Sequence, residues 1–316
     1  MPAPTPAPPS GALRGGAYAF AAYALWGVLP LYFLQLQPTG PWEVVAWRIL
    51  LAFGFCLLLL TALRGWRSFL AIVRQPRLMA LTALAGALIY VNWQTYLLGT
   101  LTGHVVETSL GYFINPIVTV LLGVLVLRER LRVLPWVAIG IAVAAVLVIV
   151  IGYGTFPWIA LTLALSFGVY GLVKKRIGPS VDAVSGLTLE SFWLLPIAGV
   201  QLVVIASTTG LTLGTAGPAH TLLLLAAGAV TALPLLLFAS AARRAPLTVI
   251  GLLQFIAPIL QFIIGVAVLG EPMTTERWVG FGLVWVALVL LSADSVLAGW
   301  RGRRRRDAPL APDEPI

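Results

Sequence analysis

Apolar residues occur along this chain in ten long stretches, roughly 14–34, 42–63, 78–99, 104–127, 133–152, 157–173, 182–207, 220–241, 246–269 and 278–298. Most are about 18–25 residues, the length a helix needs to cross a hydrocarbon core about 30 Å thick. None shows the apolar/polar alternation of an outer-membrane strand. In lipid a backbone must satisfy its own N–H and C=O groups, so each stretch is predicted to be a membrane-spanning helix. The fold class expected is an all-α polytopic membrane protein with ten transmembrane helices.

One span occurs twice. Leu110–Leu131 (LGYFINPIVTVLLGVLVLRERL) and Leu252–Met273 (LLQFIAPILQFIIGVAVLGEPM) lie 142 positions apart, and ten of their 22 aligned residues are identical. The shared positions include Pro116 and Pro258, Gly123 and Gly265, and Glu129 and Glu271. The register extends further: Leu25-Trp26-Gly27 aligns with Ser166-Phe167-Gly168, and Tyr96-Leu97-Leu98 with Phe238-Ala239-Ser240. Two five-helix units follow, 14–152 and 157–298. Equivalent points are an odd number of spans apart, so the second unit enters the membrane from the opposite side. Inverted repeats offer two near-equivalent packings, one open to each side, and are a signature of transporters.

Composition agrees with the pattern. The chain has 316 residues, is 60% hydrophobic and carries 10% charged residues, against about 25% charged in soluble domains. With the N-terminus placed in the cytoplasm, 18 of the 20 Lys and Arg fall in inner segments; Arg277 lies in an outer loop and Arg48 inside a span. This distribution predicts that both termini are cytoplasmic. It also accounts for the net charge of +9 without a nucleic-acid partner. The run Arg301–Arg306 reads as a topology anchor against anionic headgroups. Residues 1–13 are expected to form a disordered cytoplasmic tail and 299–316 a basic, disordered one. The first span lacks a small-residue cleavage site and reads as a retained helix. The single Cys56 lies within a span, so no disulfide or cysteine metal site is expected.

The segments AYALWGVLPLY (22–32), VAWRIL (45–50), VNWQTY (91–96), VETSLGYFINP (106–116), LALSFGVYGLVKK (163–175), TALPLLLFA (231–239) and LLQFIAPIL (252–260) resemble the RarD-type branch of the EamA family, within the drug/metabolite transporter superfamily. The resemblance spans the membrane region. It implies a bacterial inner-membrane permease of ten helices in two inverted five-helix repeats. The branch is labelled a chloramphenicol-sensitivity permease, a label that does not fix a physiological substrate.

A polar stripe runs along span 4. Thr108, Tyr112, Asn115 and Thr119 are spaced i, i+4, i+7 and i+11 and share a helix face. Gln254 and Gln261 repeat it in span 9. Pro116 and Pro258 each remove an intrahelical bond, to the carbonyls of Tyr112 and Gln254, and predict kinks. Asn92, Trp93 and Tyr96 in span 3, Trp26 in span 1 and Tyr170 in span 6 complete the candidates for a solute cavity. The plainer explanation of the stripe is inter-helix hydrogen bonding. An aromatic, uncharged-to-polar cavity would suit a small amphipathic molecule.

Charges inside spans are costly and invite a functional role. Arg48 and Glu190 are equivalent in the two repeats, but each lies about 9 Å deep from opposite faces, about 12 Å apart. Glu107 lies at nearly the depth of Arg48, so an Arg48–Glu107 pair is expected as an outer gate contact. In the alternative, Arg48 snorkels alone to the interface. Glu190 would meet Lys174, Lys175, Arg243 or Arg244, and is a candidate for proton coupling.

No Gly-Lys dipeptide, HExxH motif or catalytic carboxylate pair is present, so ATP-driven, metal-dependent and hydrolytic mechanisms are not expected. No cofactor and no enzymatic activity are expected. The leading expectation is a secondary transporter of a small organic solute, working by alternating access within a lipid bilayer. The alternatives are a non-transporting membrane partner or sensor, and an intramembrane enzyme.

Overall fold

The computed structural model describes residues 10–128, 133–153, 156–177, 180–242, 244–245 and 247–306. Within them the chain forms α1 (Ser10–Leu34), α2 (Pro41–Ala62), α3 (Trp66–Val73), α4 (Pro76–Leu101), α5 (Val105–Leu127) and α6 (Val133–Tyr153). The second half forms α7 (Trp158–Ile177), α8 (Ala183–Thr208), α9 (Pro218–Ala242), α10 (Leu247–Leu253), α11 (Ile256–Ile263), a π-turn (Ile264–Val268) and α12 (Thr275–Arg306). Ten segments are long and apolar enough to cross a membrane. The protein is a multi-pass, all-helical membrane protein.

Local chemistry sets many of the boundaries. Proline at the first helical position opens α2 and α4, where its missing N–H costs nothing. Asp182 opens α8, its carboxylate accepting from Val184 N at 3.1 Å and Ser185 N at 3.0 Å. Arg128 ends α5 in the left-handed conformation, with φ 56°.

The helices of one half pack mainly on those of the other, and the packing maps onto itself when the halves are exchanged. α5 packs on α7 as α11 packs on α1; α4 on α7 as α9 on α1; and α2 on α9 as α8 on α4. The pairs α2·α8, α6·α12 and α5·α11 are their own equivalents. Glycines permit the closest of these approaches. A Cβ on Gly27 would meet the Leu260 side chain at 2.7 Å, and one on Gly168 would meet Val118 Cγ1 at 2.8 Å. Gly27 and Gly168 are equivalent, as are Leu260 and Val118. Gly86 and Gly228, 142 positions apart, likewise lie against the backbones of Glu190 and Leu51. Small residues of this kind let membrane helices gain van der Waals contact that lipid cannot supply.

Four features depart from the sequence reading. Residues 10–13, expected in the disordered tail, belong to α1. Residues 299–306 continue α12; the stretch is rich in arginine, a good helix former, and meets no proline before Pro309. A short helix, α3, occupies the segment before span 3, with Trp66, Leu70 and Val73 exposed. Finally, the two copies of the repeated span differ. α5 is continuous through Pro116, whereas span 9 is interrupted at Gln254-Phe255 and ends in a π-turn. The interruption falls where the Pro258 nitrogen has no proton to give to the Gln254 carbonyl. The tails 1–9 and 307–316, together with Glu129, Arg130, Arg132 and Arg243, lie outside the described residues.

Candidate functional site

The interior between the halves is built around aromatic rings and a few polar anchors. Arg48 in α2 is 5% exposed. Its Nε donates to Thr231 Oγ1 of α9 at 2.8 Å, and its guanidinium carbon lies 4.2 Å from the Trp93 ring centroid and 5.5 Å from that of Phe33. A ladder of rings continues from there. Phe33–Tyr96, Tyr96–Tyr112, Tyr112–Phe167 and Phe167–Tyr170 have centroids 6.1, 5.8, 6.1 and 5.8 Å apart. Most of these contacts are edge-on, the arrangement ring quadrupoles favour.

Glu190 terminates the ladder. Its carboxylate accepts from Tyr170 Oη at 3.0 Å and pairs with Lys174 Nζ at 2.7 Å. Glu190 is 1% exposed. Of the basic partners considered for it, the structure brings Lys174 into contact. The ladder thus joins a buried cation in α2 to a half-buried ion pair between α7 and α8. Those two charged positions are equivalent in the repeats and sit at different depths.

Asn92 braces the middle. Its Nδ2 donates to Leu163 O and Ser166 Oγ, each at 3.2 Å, and its Oδ1 accepts from Tyr112 Oη at 3.1 Å. Half-buried Trp26 packs on Tyr23 and Phe238, and its carbonyl accepts from Gln261 Nε2 at 3.2 Å. Among the described residues, Arg48 Nη1, Tyr96 Oη, Asn115 Oδ1 and Gln261 Oε1 are buried and make no hydrogen bond.

The remaining candidates separate from this core. Thr108 is buried, but its hydroxyl bonds back to Val105 O of its own helix. Thr119 is exposed and bonds Asn115 O. Gln254 sits at the interruption of span 9. The polar stripe therefore divides: Tyr112 and Asn115 belong to the interior, while Thr108 and Thr119 satisfy themselves along α5.

The expected Arg48–Glu107 pair does not form. Glu107 Oε1 accepts from Ile159 N at 3.0 Å and Ala160 N at 3.4 Å, capping α7. Orphan N–H groups at a helix start, with their positive dipole end, compete well for a carboxylate. Similar depth gave no information on direction: Arg48 points toward α9 and the rings.

Glu107 is one of three such clamps, all at the end of the molecule opposite the termini. Glu271, just past span 9, caps α5: its carboxylate accepts from Val105 N at 2.5 Å and Val106 N at 2.9 Å. Burial pushes the Glu271 carboxyl above the usual carboxylate range, against the opposing pull of those two N–H groups, His104 and Arg277. Glu43 accepts from Thr212 N at 2.8 Å and Thr212 Oγ1 at 3.0 Å. Beside it, Thr39 Oγ1 contacts His220 Nε2 and Thr212 Oγ1, each at 2.7 Å. Sequence reasoning missed Glu43 and the capping role of Glu271. The only pointer was the duplication of the Glu129/Glu271 position, and Glu129 lies outside the described residues. A small cleft lined by Val106, Glu107, Leu110, Ile149, Pro157, Arg277 and Phe281 lies at the same end, away from the ring ladder.

Comparison with known proteins places the chain. The EamA-like transporter family model matches it twice, over residues 13–151 and 157–293. The chain is 47% identical over 292 residues to Protein RarD of Streptomyces exfoliatus, covering 92% of each. It is 39% identical over 295 residues to an uncharacterized transporter of Vibrio cholerae, covering 93% of this chain and 97% of that one. A solved structure titled "Crystal structure of protein" superposes with a TM-score of 0.57 at 18% identity, covering 95% of this chain and 99% of that chain, and shares the fold. With the doubled family match and these relatives, the chain belongs to the EamA-like transporter family, on its RarD branch.

Proposed function

We propose that this protein is a secondary transporter that moves a small organic solute across a bacterial inner membrane by alternating access, with both termini in the cytoplasm. The observation that carries the proposal is the pairing of symmetric packing with asymmetric detail. Helix contacts exchange with each other under the repeat, yet the equivalent spans α5 and α10–α11 differ, one continuous and one interrupted. Two packings of equivalent parts are what an inverted repeat requires of a single conformational state.

In this reading the state is closed on the outer side. The carboxylate clamps of Glu43, Glu107 and Glu271 tie separate elements together there. The solute site is the ring-lined interior between Arg48 and Glu190, reached by separating α5 from span 9. Glu190 with Lys174 remains the candidate for proton coupling, because a carboxylate and its basic partner can exchange a proton as their surroundings change. The positive-inside distribution supports the orientation.

Flux into proteoliposomes across a panel of small organic solutes, with and without an imposed proton gradient, tests the proposal. It predicts saturable uptake of at least one solute by the purified, folded protein. Absence of uptake for every solute would favour a membrane partner or sensor instead.

A further inference from the structure

Among the described residues, Arg48 has no neutralising partner. Among the described residues, no carboxylate lies within ion-pair distance of its guanidinium, and Nη1 is buried without a hydrogen-bond partner. The other buried charges of the interior are balanced differently. Glu190 has Lys174, while buried Glu43 and Glu271, at the clamped end, have backbone N–H groups. A buried cation held by one hydroxyl and two aromatic faces retains a strong demand for an anion.

Its geometry is also set. The Thr231 hydroxyl donates to Ala227 O at 2.7 Å, which leaves its oxygen to accept from Arg48 Nε. With Nε anchored and Trp93 against the plane, the guanidinium is oriented before any ligand arrives. Tyr32, Tyr96 and Tyr112 lie around it. Of these, Tyr96 Oη is likewise buried and makes no hydrogen bond within 3.5 Å among the described residues, with the Thr100 hydroxyl beside it. Two buried donors with no hydrogen bond within 3.5 Å among the described residues therefore lie in one ring-lined region.

Building on the transport reading, we infer that the cargo is an organic anion: a carboxylate on an aromatic or apolar body. The carboxylate is held by Arg48 Nη1 and the Tyr96 hydroxyl, and the body packs among Trp93, Phe33 and Tyr112. Such a solute supplies the missing counter-charge and acceptors together. A neutral analogue would leave the guanidinium unpaired, and an amine would repel it.

The test uses purified full-length protein and three matched probes: 3-phenylpropionate, 3-phenylpropanamide and 3-phenylpropylamine. Calorimetric titration should show the carboxylate binding about tenfold to a hundredfold more tightly than the amide, with the amine weakest. Arg48→Met should abolish the preference and Arg48→Lys should keep part of it. If Arg48→Met fails to fold, Tyr96→Phe serves instead, lowering carboxylate affinity several-fold and leaving amide affinity unchanged. Carboxylate binding that is absent, no tighter than the amide, or indifferent to both substitutions overturns the inference. Flux of the same probes separates the two levels: uptake without anion preference removes the anion and keeps the transporter. Anion-selective binding with no flux of any solute removes the transporter and keeps the anion site.

Discussion

Glu271→Ala should loosen the outer end of the molecule selectively. The carboxylate spans from the end of span 9 to the start of α5 through two backbone hydrogen bonds, at 2.5 and 2.9 Å. At a net value of roughly 1 kcal/mol each, their loss disfavours the closed arrangement by about 2 kcal/mol. That corresponds to about a thirtyfold rise in the open fraction. The two bonds go to different carboxylate oxygens, so Glu271→Gln keeps one acceptor and sets an NH2 against the second N–H; it should lose about 1 kcal/mol, roughly half the alanine effect. The assay is labelling of a cysteine at Ser109, which is fully buried one turn inside the clamp, in a Cys56→Ala background with an impermeant maleimide. Its rate follows the open population when opening is fast relative to labelling. A second cysteine, at buried Val173 in α7, reports general loosening. Unchanged labelling at Ser109, or equal acceleration at both positions, would refute the clamp.

The raised pKa of Glu271 adds a signed pH dependence. Its carboxyl sits above the ordinary range when buried in the closed state and returns toward that range once exposed to water. Closure therefore takes up a proton and strengthens as pH falls through the raised value; by the same linkage its contribution to folded-state stability is lost as pH rises through it. Ser109 labelling in the parent, divided by that in Glu271→Gln, should fall on acidification, and a ratio flat with pH would contradict this. Gly27→Leu and Gly168→Leu, at equivalent crossings against Leu260 and Val118, should each destabilise by about 1–3 kcal/mol in detergent melts; a tolerated pair would mean these crossings are not tight. Lys174→Met leaves Glu190 buried without its partner, costing roughly 2 kcal/mol, less than for a fully buried pair because Lys174 is a third exposed. Adding Glu190→Gln should recover much of that loss, and a double variant no better than the single one would count against the pairing. Since Arg48 and Glu107 have separate partners, their double-mutant coupling should stay within about 0.5 kcal/mol of zero.

Most of the fold was readable because lipid leaves few choices. Apolar length located the spans, parity of the repeat set the inversion, and Pro258 marked where span 9 breaks. The break was not readable as one-sided, since Pro116 has the same chemistry and α5 runs through it unbroken. Which copy yields depends on its packing. At the site, residue type pointed correctly to costly positions such as Arg48 and Glu190, but not to their partners. A carboxylate can choose a backbone N–H 166 positions away, and backbone donors are present at every residue, so composition cannot single one out. Thr108 and Thr119 show the converse. Helical spacing placed them on the stripe, yet a threonine hydroxyl readily satisfies itself on the preceding turn, as both do here.

Alternating access requires the two faces to move in opposition, and paired distances test that most directly. Spin labels at Thr102 and Leu269 span the clamped end of α5 and span 9, and labels at Arg128 and Val249 span the other end of the same helices. Electron–electron double resonance on the parent and on Glu271→Ala should show the first distance lengthening while the second shortens. Lengthening of both together, or movement at one face with the other fixed, would contradict alternating access about this site.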